Sequence, residues 1–424
     1  MHFAMTDDTD AQLAAQYEAY PYPARQPRDE AKRLIIGSPG HLREIDHWVF
    51  AGARPTSTPL RALMAGGGTG DATIMLATQL TRANRPGEVT WLDRSDAARR
   101  IAQARAEQRG LRNIAWVSRS ILDLPQSGLG PFDYIDCCGV LHHLPNPAEG
   151  LAALLSVLAP GGGLGLMVYA PHGRTGVYML QDALRRLAPP EHPPASRLDI
   201  ARRVMKHLPQ TAWLRRNPHF TDHIEGGDAG LYDLLLNPRD RAFDIPALFA
   251  LLTSAGLKLR CLMEPLRYDP ATWLPDPKLR ALAAALDPME AAALAEALTG
   301  NMSTHVVYCT RAGEGEAGPD PLSPQAVPIA REMPGDALAA AIRPDGTLPL
   351  VIEGLRVPLA LPPLAPAILR LIDGERSIGD IAAALALRGI DATAFMRAWT
   401  ACWPALSRSN RILLAPANHS ALPA

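Results

Sequence analysis

The chain has 424 residues, 47% of them hydrophobic, and 42 lysines and arginines against 43 aspartates and glutamates leave a formal charge of -1. That length suggests two domains, and the apolar content is ample for buried cores. The near-neutral balance excludes a protein steered wholesale to nucleic acid or anionic lipid and leaves room only for local basic patches.

In chain order, residues 1–58 read as an N-terminal arm. The stretch Tyr17-Glu18-Ala19-Tyr20-Pro21-Tyr22-Pro23 is held extended by its two prolines. A helix follows on Leu42, Ile45, Trp48 and Val49. Residues 61–65 are a short apolar run that flows into Gly66-Gly67-Gly68-Thr69-Gly70, and a helix over 71–80 turns Ile74, Met75, Ala77 and Leu80 inward. Strand, tight turn and helix are what that pattern implies. Glycine suits a turn whose backbone takes φ > 0 and comes close to a ligand. The open amides of the helix start favour electronegative groups. The spacing is not G-x-G-x-x-G, since Asp71 or Thr73 would stand at the third glycine, so a nicotinamide or flavin site is disfavoured. No Gly-Lys-Ser/Thr follows, which excludes a P-loop.

Strands are expected at 89–93, ending in Asp93, at 114–117, 132–138 and 164–169. Helices intervene at 95–108, capped by Ser95, and at 147–158, closed by Pro160-Gly161-Gly162-Gly163. Such β-α repeats with short apolar strands form a parallel sheet covered by helices on both faces. Residues 172–243 break the rhythm with helices at 177–187 and 198–208 and a polar section at 219–228. A helix at 245–255, a strand at 257–263, a helical insertion at about 268–300 and a last strand at 303–309 follow. Residues 312–335 form a Gly/Pro linker. Beyond it, 336–424 carry a hairpin around Glu353-Gly354, helices at 365–371, 377–387 and 392–406, and a strand at 411–414. Five scattered cysteines (Cys137, Cys138, Cys261, Cys309 and Cys402) include no C-x-x-C, so neither a metal site nor a disulfide framework is implied. Without a leader pattern or an apolar run of about 18 residues, a reduced, cytoplasmic, soluble enzyme without a membrane span is expected.

The G-x-G-x-G of Gly66, Gly68 and Gly70 resembles the first motif of class I S-adenosylmethionine-dependent methyltransferases. Asp93, the segment 118–125, the loop Cys138-Gly139-Val140-Leu141-His142-His143-Leu144 and Pro160-Gly161-Gly162 follow in that family's order. The Leu-His-His-Leu segment is similar to those of quinone-type and other small-molecule methyltransferases. The likeness covers roughly residues 60–170. It implies a Rossmann-like α/β domain over 59–311 whose parallel sheet is closed by an antiparallel hairpin, with helical insertions at about 172–243 and 268–300. Residues 336–424 look like a small α+β, winged-helix-like accessory domain.

The resemblance also implies S-adenosylmethionine as cofactor. Gly66, Gly68 and Gly70 would lie beneath its methionine and ribose, Ser120 and Ile121 at its adenine, and Gly139 in the loop after the fourth strand. Asp93 would hold the ribose hydroxyls, because a carboxylate offers two acceptors in one plane; a helix cap is its plainer reading. Residues 1–58 become either a surface arm or a lid closing over the cofactor with Tyr20 and Tyr22. Two positions depart from the family pattern: Ser120 stands where an adenine-binding acid is usual, and Met64 where an acid contacts the cofactor's amino group. Asp123 reads as a turn residue. His142 or His143 is the candidate base, or else shapes the loop. His219, Asp222 and His223 form a second set, read as a solvated polar loop.

Methyl transfer is an in-line displacement needing alignment rather than a metal. The expected function is methylation of a small-molecule or protein acceptor, with no nucleic-acid partner. The alternative, motivated by Met64 and Ser120, is a non-catalytic Rossmann-like binding protein whose C-terminal domain recruits a peptide or protein.

Overall fold

The computed structural model describes residues 3–217, 220–315 and 317–416. Strands β1 (Leu60–Ala65), β2 (Gly87–Asp93), β3 (Ile114–Ser118), β4 (Phe132–Cys138), β5 (Leu158–Tyr169), β6 (Leu257–Leu262) and β7 (Thr304–Arg311) form one sheet in the order β3-β2-β1-β4-β5-β7-β6. The pairs from β3 to β5 are parallel, and β7 runs antiparallel to both β5 and β6. This is the parallel sheet with a closing hairpin that the sequence implied. The central strands are near-continuous apolar runs because helices cover them on both sides. Strand order reverses between β1 and β4, and a crevice for a ligand opens at the carboxyl ends of strands at such a switch point.

Three stretches differ from expectation. Residues Phe3–Ala19 are a helix, and the extended path begins only at the prolines behind it. β5 starts at Leu158 and runs through the Pro-Gly-Gly-Gly stretch expected as a helix stop. An irregularity opposite Phe132 and Tyr134 absorbs the extra residues of that strand. In the first insertion a helix, Gly227–Leu236, begins inside the section expected to be a polar loop, and Ala229 to Leu236 are all buried. A segment buried all round has no polar face, so it lacks the periodic signal by which a helix is recognised. His219 lies outside the described residues.

The C-terminal region has its own core around Trp399, Phe395, Ile368 and Leu369. Strands β9 (Thr347–Ile352) and β10 (Leu355–Ala360) pair as the expected hairpin. Glu353 at φ 43 and Gly354 at φ 81 supply the two left-handed residues that a tight hairpin turn requires. Helices Ala365–Leu369, Ile378–Ala386 and Ala392–Arg408 follow, the second with a capping box between Ser377 and Asp380. Strand β8 (Val327–Ala330) falls within the stretch read as a linker. It is wholly buried and pairs antiparallel with β11 (Ile412–Ala415). Only a partner 80-odd residues away makes that short run a strand. Among the described residues no helix is long and apolar enough to cross a membrane.

Candidate active site

The turn after β1 is pinned by its neighbour: the amides of Gly66 and Gly67 both donate to the Leu92 carbonyl, at 2.8 and 2.9 Å. Gly66 has φ +80, and a Cβ there would stand 2.2 Å from Val140 Cγ2, so this glycine serves packing as well as conformation. Gly68, at φ +48, is different. The atom closest to its missing Cβ is the Tyr22 carbonyl oxygen at 3.1 Å, and the residue forms part of the floor of a cavity of about 730 Å³. Gly70, also at positive φ, is the N-cap of the helix Asp71–Arg82.

Asp93 closes β2 beside that floor. Its carboxylate accepts from the Gly68 amide at 2.8 Å and the Ser95 amide at 2.9 Å. Each oxygen therefore retains acceptor capacity towards the cavity. Burial raises its pKa against the opposing pull of these amides. Ser120, Ile121 and Gly139 also line the cavity. The Ser120 hydroxyl accepts from Leu122 N at 3.2 Å, and Asp123 completes a capping box with it, which is the turn role expected of Asp123.

The two histidines separate. His142 is fully buried and stacks on Tyr169 at 3.8 Å between ring centroids. Neither of its ring nitrogens has a hydrogen-bond partner among the described residues, and it is absent from the cavity wall. Burial, with His143 and Arg174 nearby, holds it neutral, its pKa well below the usual value. His143 is on the wall. Its Nδ1 lies 2.7 Å from the Arg239 carbonyl; a carbonyl can only accept, so Nδ1 carries a proton, and in the neutral ring the lone pair is on Nε2.

The arm contributes differently from expectation. Tyr20 does not line the cavity; it stacks on Tyr232 of the Gly227–Leu236 helix at 5.0 Å. Tyr22 lines it as expected, and Tyr17 lines it in place of Tyr20. The helical geometry of residues 3–19 turns Tyr17 inward and leaves Tyr20, past the helix end, against the insertion. Tyr17 Oη and Tyr169 Oη both donate to the buried carboxylate of Asp233, at 2.8 and 3.2 Å. Arg239 is ion-paired to Asp10 at 2.6 Å. Asp233 escaped the sequence reading because its helix did, and Arg239, three residues past the end of that helix, escaped with it. The other insertion set does not join this site: His223 lies on the short helix Asp222–Glu225 and off the cavity wall. Among the described residues no cluster of His, Cys, Asp or Glu could hold a metal.

A methyltransferase-domain family matches residues 63–164, the span that holds the glycine turn, Asp93 and the His143 loop. The chain carries a class I S-adenosylmethionine-dependent methyltransferase domain. It is similar to an uncharacterised protein of Synechococcus, 32% identical over 63% of this chain and 63% of that protein. It also resembles a ubiquinone biosynthesis O-methyltransferase of Acinetobacter baylyi, 30% identical over 19% of this chain and 34% of that enzyme. The tRNA 5-carboxymethoxyuridine methyltransferase of Escherichia coli is 34% identical over 34% of this chain and 55% of that enzyme. The chain thus spans between a third and two thirds of the length of these relatives. Its fold is similar to PKMT2 from Rickettsia typhi, solved also in complex with AdoHcy: the TM-score is 0.59 at 14% identity, covering 89% of this chain and 75% of that one.

The roof over the switch point of this domain is made by the N-terminal helix and the inserted helix, joined through Asp233. Asp233→Ala leaves the Tyr17 and Tyr169 hydroxyls without their acceptor, at a cost of roughly 2–4 kcal/mol. The expected result is faster amide hydrogen exchange in residues 9–20 and 227–236, with exchange in β1 and β4 unchanged.

Proposed function

We propose that this protein transfers a methyl group from S-adenosylmethionine to a hydroxyl or amine of an acceptor that enters beneath the Gly227–Leu236 helix. The observation that carries the proposal is one continuous cavity. Its floor is the Gly66–Gly70 turn and Asp93, and its wall holds a histidine whose lone pair is fixed by a backbone carbonyl. The cofactor, when bound, supplies an electrophilic methyl on a sulfonium. The open space above Gly68 and the spare acceptor capacity of Asp93 fit its ribose. Ser120 and Ile121 fit the adenine edge and face, with Gly139 beneath the reacting end.

With the cofactor bound, His143 Nε2 would take the acceptor's proton as the acceptor–methyl bond forms and the methyl–sulfur bond breaks, its electron pair returning to sulfur to leave a neutral thioether, while the Arg239 carbonyl holds the other ring nitrogen in the donor state. His142 is a packing residue of this loop. The cavity lies within the roughly 300–1,000 Å³ typical of small-ligand sites. Its roof of two helices suits a small molecule or a single projecting side chain. The relatives' names point to a biosynthetic O-methylation and to a tRNA, and the closed roof favours the former kind of acceptor. We take 59–311 as the methyltransferase domain, residues 3–58 as its lid, and the region from β8 onward as an accessory unit of winged-helix-like composition.

Labelled S-adenosylmethionine incubated with small-molecule, lipid and protein fractions of a cell extract tests this reading. Label is expected in one fraction. With that acceptor, His143→Ala lowers kcat by about 10²–10⁴ while leaving cofactor affinity in place. Cofactor binding without label transfer to any fraction would favour a binding protein instead.

A further inference from the structure

Met64 on β1 stands where the family resemblance expects an acid for the cofactor's amino group. Its Cα partner on the adjacent strand β4 is Asp136. The two side chains leave the same face of the sheet about 4.8 Å apart, and both line the cavity. Asp136 is only 3% exposed. The groups acting on it are the Tyr134 hydroxyl, at 3.3 Å, and the Cys138 amide, neither of them a cation. Burial therefore pushes its pKa up to about 7.

Other acids on the cavity wall are already engaged. Asp10, Glu18 and Asp71 are ion-paired to arginines, Asp93 accepts two backbone amides, Asp96 accepts from the Ser118 hydroxyl at 3.2 Å, and Asp233 accepts two tyrosines. A carboxylate this buried is costly to ionise unless a cation meets it. The protein nevertheless builds a loop around it. Gly40 turns at φ +99 where a Cβ would press to 2.8 Å from Asp136 Oδ2, and its amide is held by the Tyr308 hydroxyl at 3.1 Å.

We propose that Asp136 is the displaced acid of the cofactor site, moved sideways from β1 to β4, and that it binds the ammonium group at the amino-acid end of S-adenosylmethionine. The shift is one strand across at the same height in the sheet, so the carboxylate reaches the same end of the cavity. This inference rests on the methyltransferase reading, and the test separates the two.

Calorimetry on the full chain compares the parent with Asp136→Asn, using S-adenosylhomocysteine and 5′-methylthioadenosine, which keeps adenine and ribose but lacks the amino acid. S-adenosylhomocysteine affinity is expected to fall about 10–100-fold, the scale of one charge-assisted hydrogen bond, with 5′-methylthioadenosine affinity unchanged. Without ligand at pH 8 the variant is expected to melt at or above the parent's temperature, because a neutral amide replaces a carboxylate that burial disfavours. Equal S-adenosylhomocysteine affinity in both proteins, or parallel losses for both ligands, overturns the assignment of Asp136. A parent that binds neither ligand overturns the methyltransferase reading itself.

Discussion

Asp93→Ala lowers S-adenosylmethionine affinity by about 100-fold in a calorimetric titration, the largest single loss expected at the cofactor site. Two charge-assisted hydrogen bonds from ribose hydroxyls to one carboxylate contribute roughly 3 kcal/mol, and each 1.4 kcal/mol is tenfold in affinity. The same carboxylate orients the Gly68 and Ser95 amides, so its loss also loosens the floor. Those amides face an open cavity where water replaces the lost acceptor, and the expected stability change is therefore small. Gly68→Val should weaken binding without touching Asp93, since its side chain would rise into the space above the floor. Undiminished affinity in both variants would refute the placement of the ribose.

Arg331→Ala destabilises the chain by about 3–5 kcal/mol, the cost of stripping the cation from a buried ion pair. Glu44 is fully buried and sits at the junction of three regions. It accepts from Arg331 Nε, Asn410 Nδ2 and Tyr308 Oη at 2.7 Å each, and from Ser38 Oγ at 2.8 Å. Arg331 also donates to the Gly37 carbonyl at 3.0 Å, and Gly37 and Ser38 are cavity residues. The arginine's pKa is raised overall: burial works against the charge, and Glu44 more than compensates. Denaturant unfolding at neutral pH measures the loss. Glu44→Leu combined with Arg331→Leu should recover a substantial part of it, because removing both charges leaves no orphan. A single variant as stable as the parent would show that the accessory unit is not tied to the cofactor side through this pair.

The sheet was legible in the sequence because its strands are short apolar runs between glycine, proline and polar breaks, and each strand announces itself locally. The cavity floor was legible for the same reason: Gly66 to Gly70 and Asp93 sit at the ends of those runs. The roof was not. From Ala229 to Leu236 the inserted helix is buried on every side, which removes the amphipathic period, and residues 3–19 have no strong apolar stripe. Asp233, Arg239 and Tyr17 therefore went unmarked, and of the expected pair Tyr20 and Tyr22 only Tyr22 lines the cavity, with Tyr17 in place of Tyr20. β8 was hidden because a four-residue strand draws its stability from a distant partner.

By itself the sequence determined the parallel sheet and the switch-point turn, since both depend on local spacing and on φ values that glycine permits, and the order of its motifs carried the family resemblance that implied the class of cofactor. It narrowed the candidate base to two adjacent histidines and went no further. Only the tertiary structure separated them, because burial against Tyr169 and a bond to a carbonyl 96 residues away are properties of packing. The same holds for the acid that position 64 lacks. A one-dimensional motif asks which residue stands two places before a glycine, whereas a sheet also brings in the residue one strand across, and there the chain has Asp136.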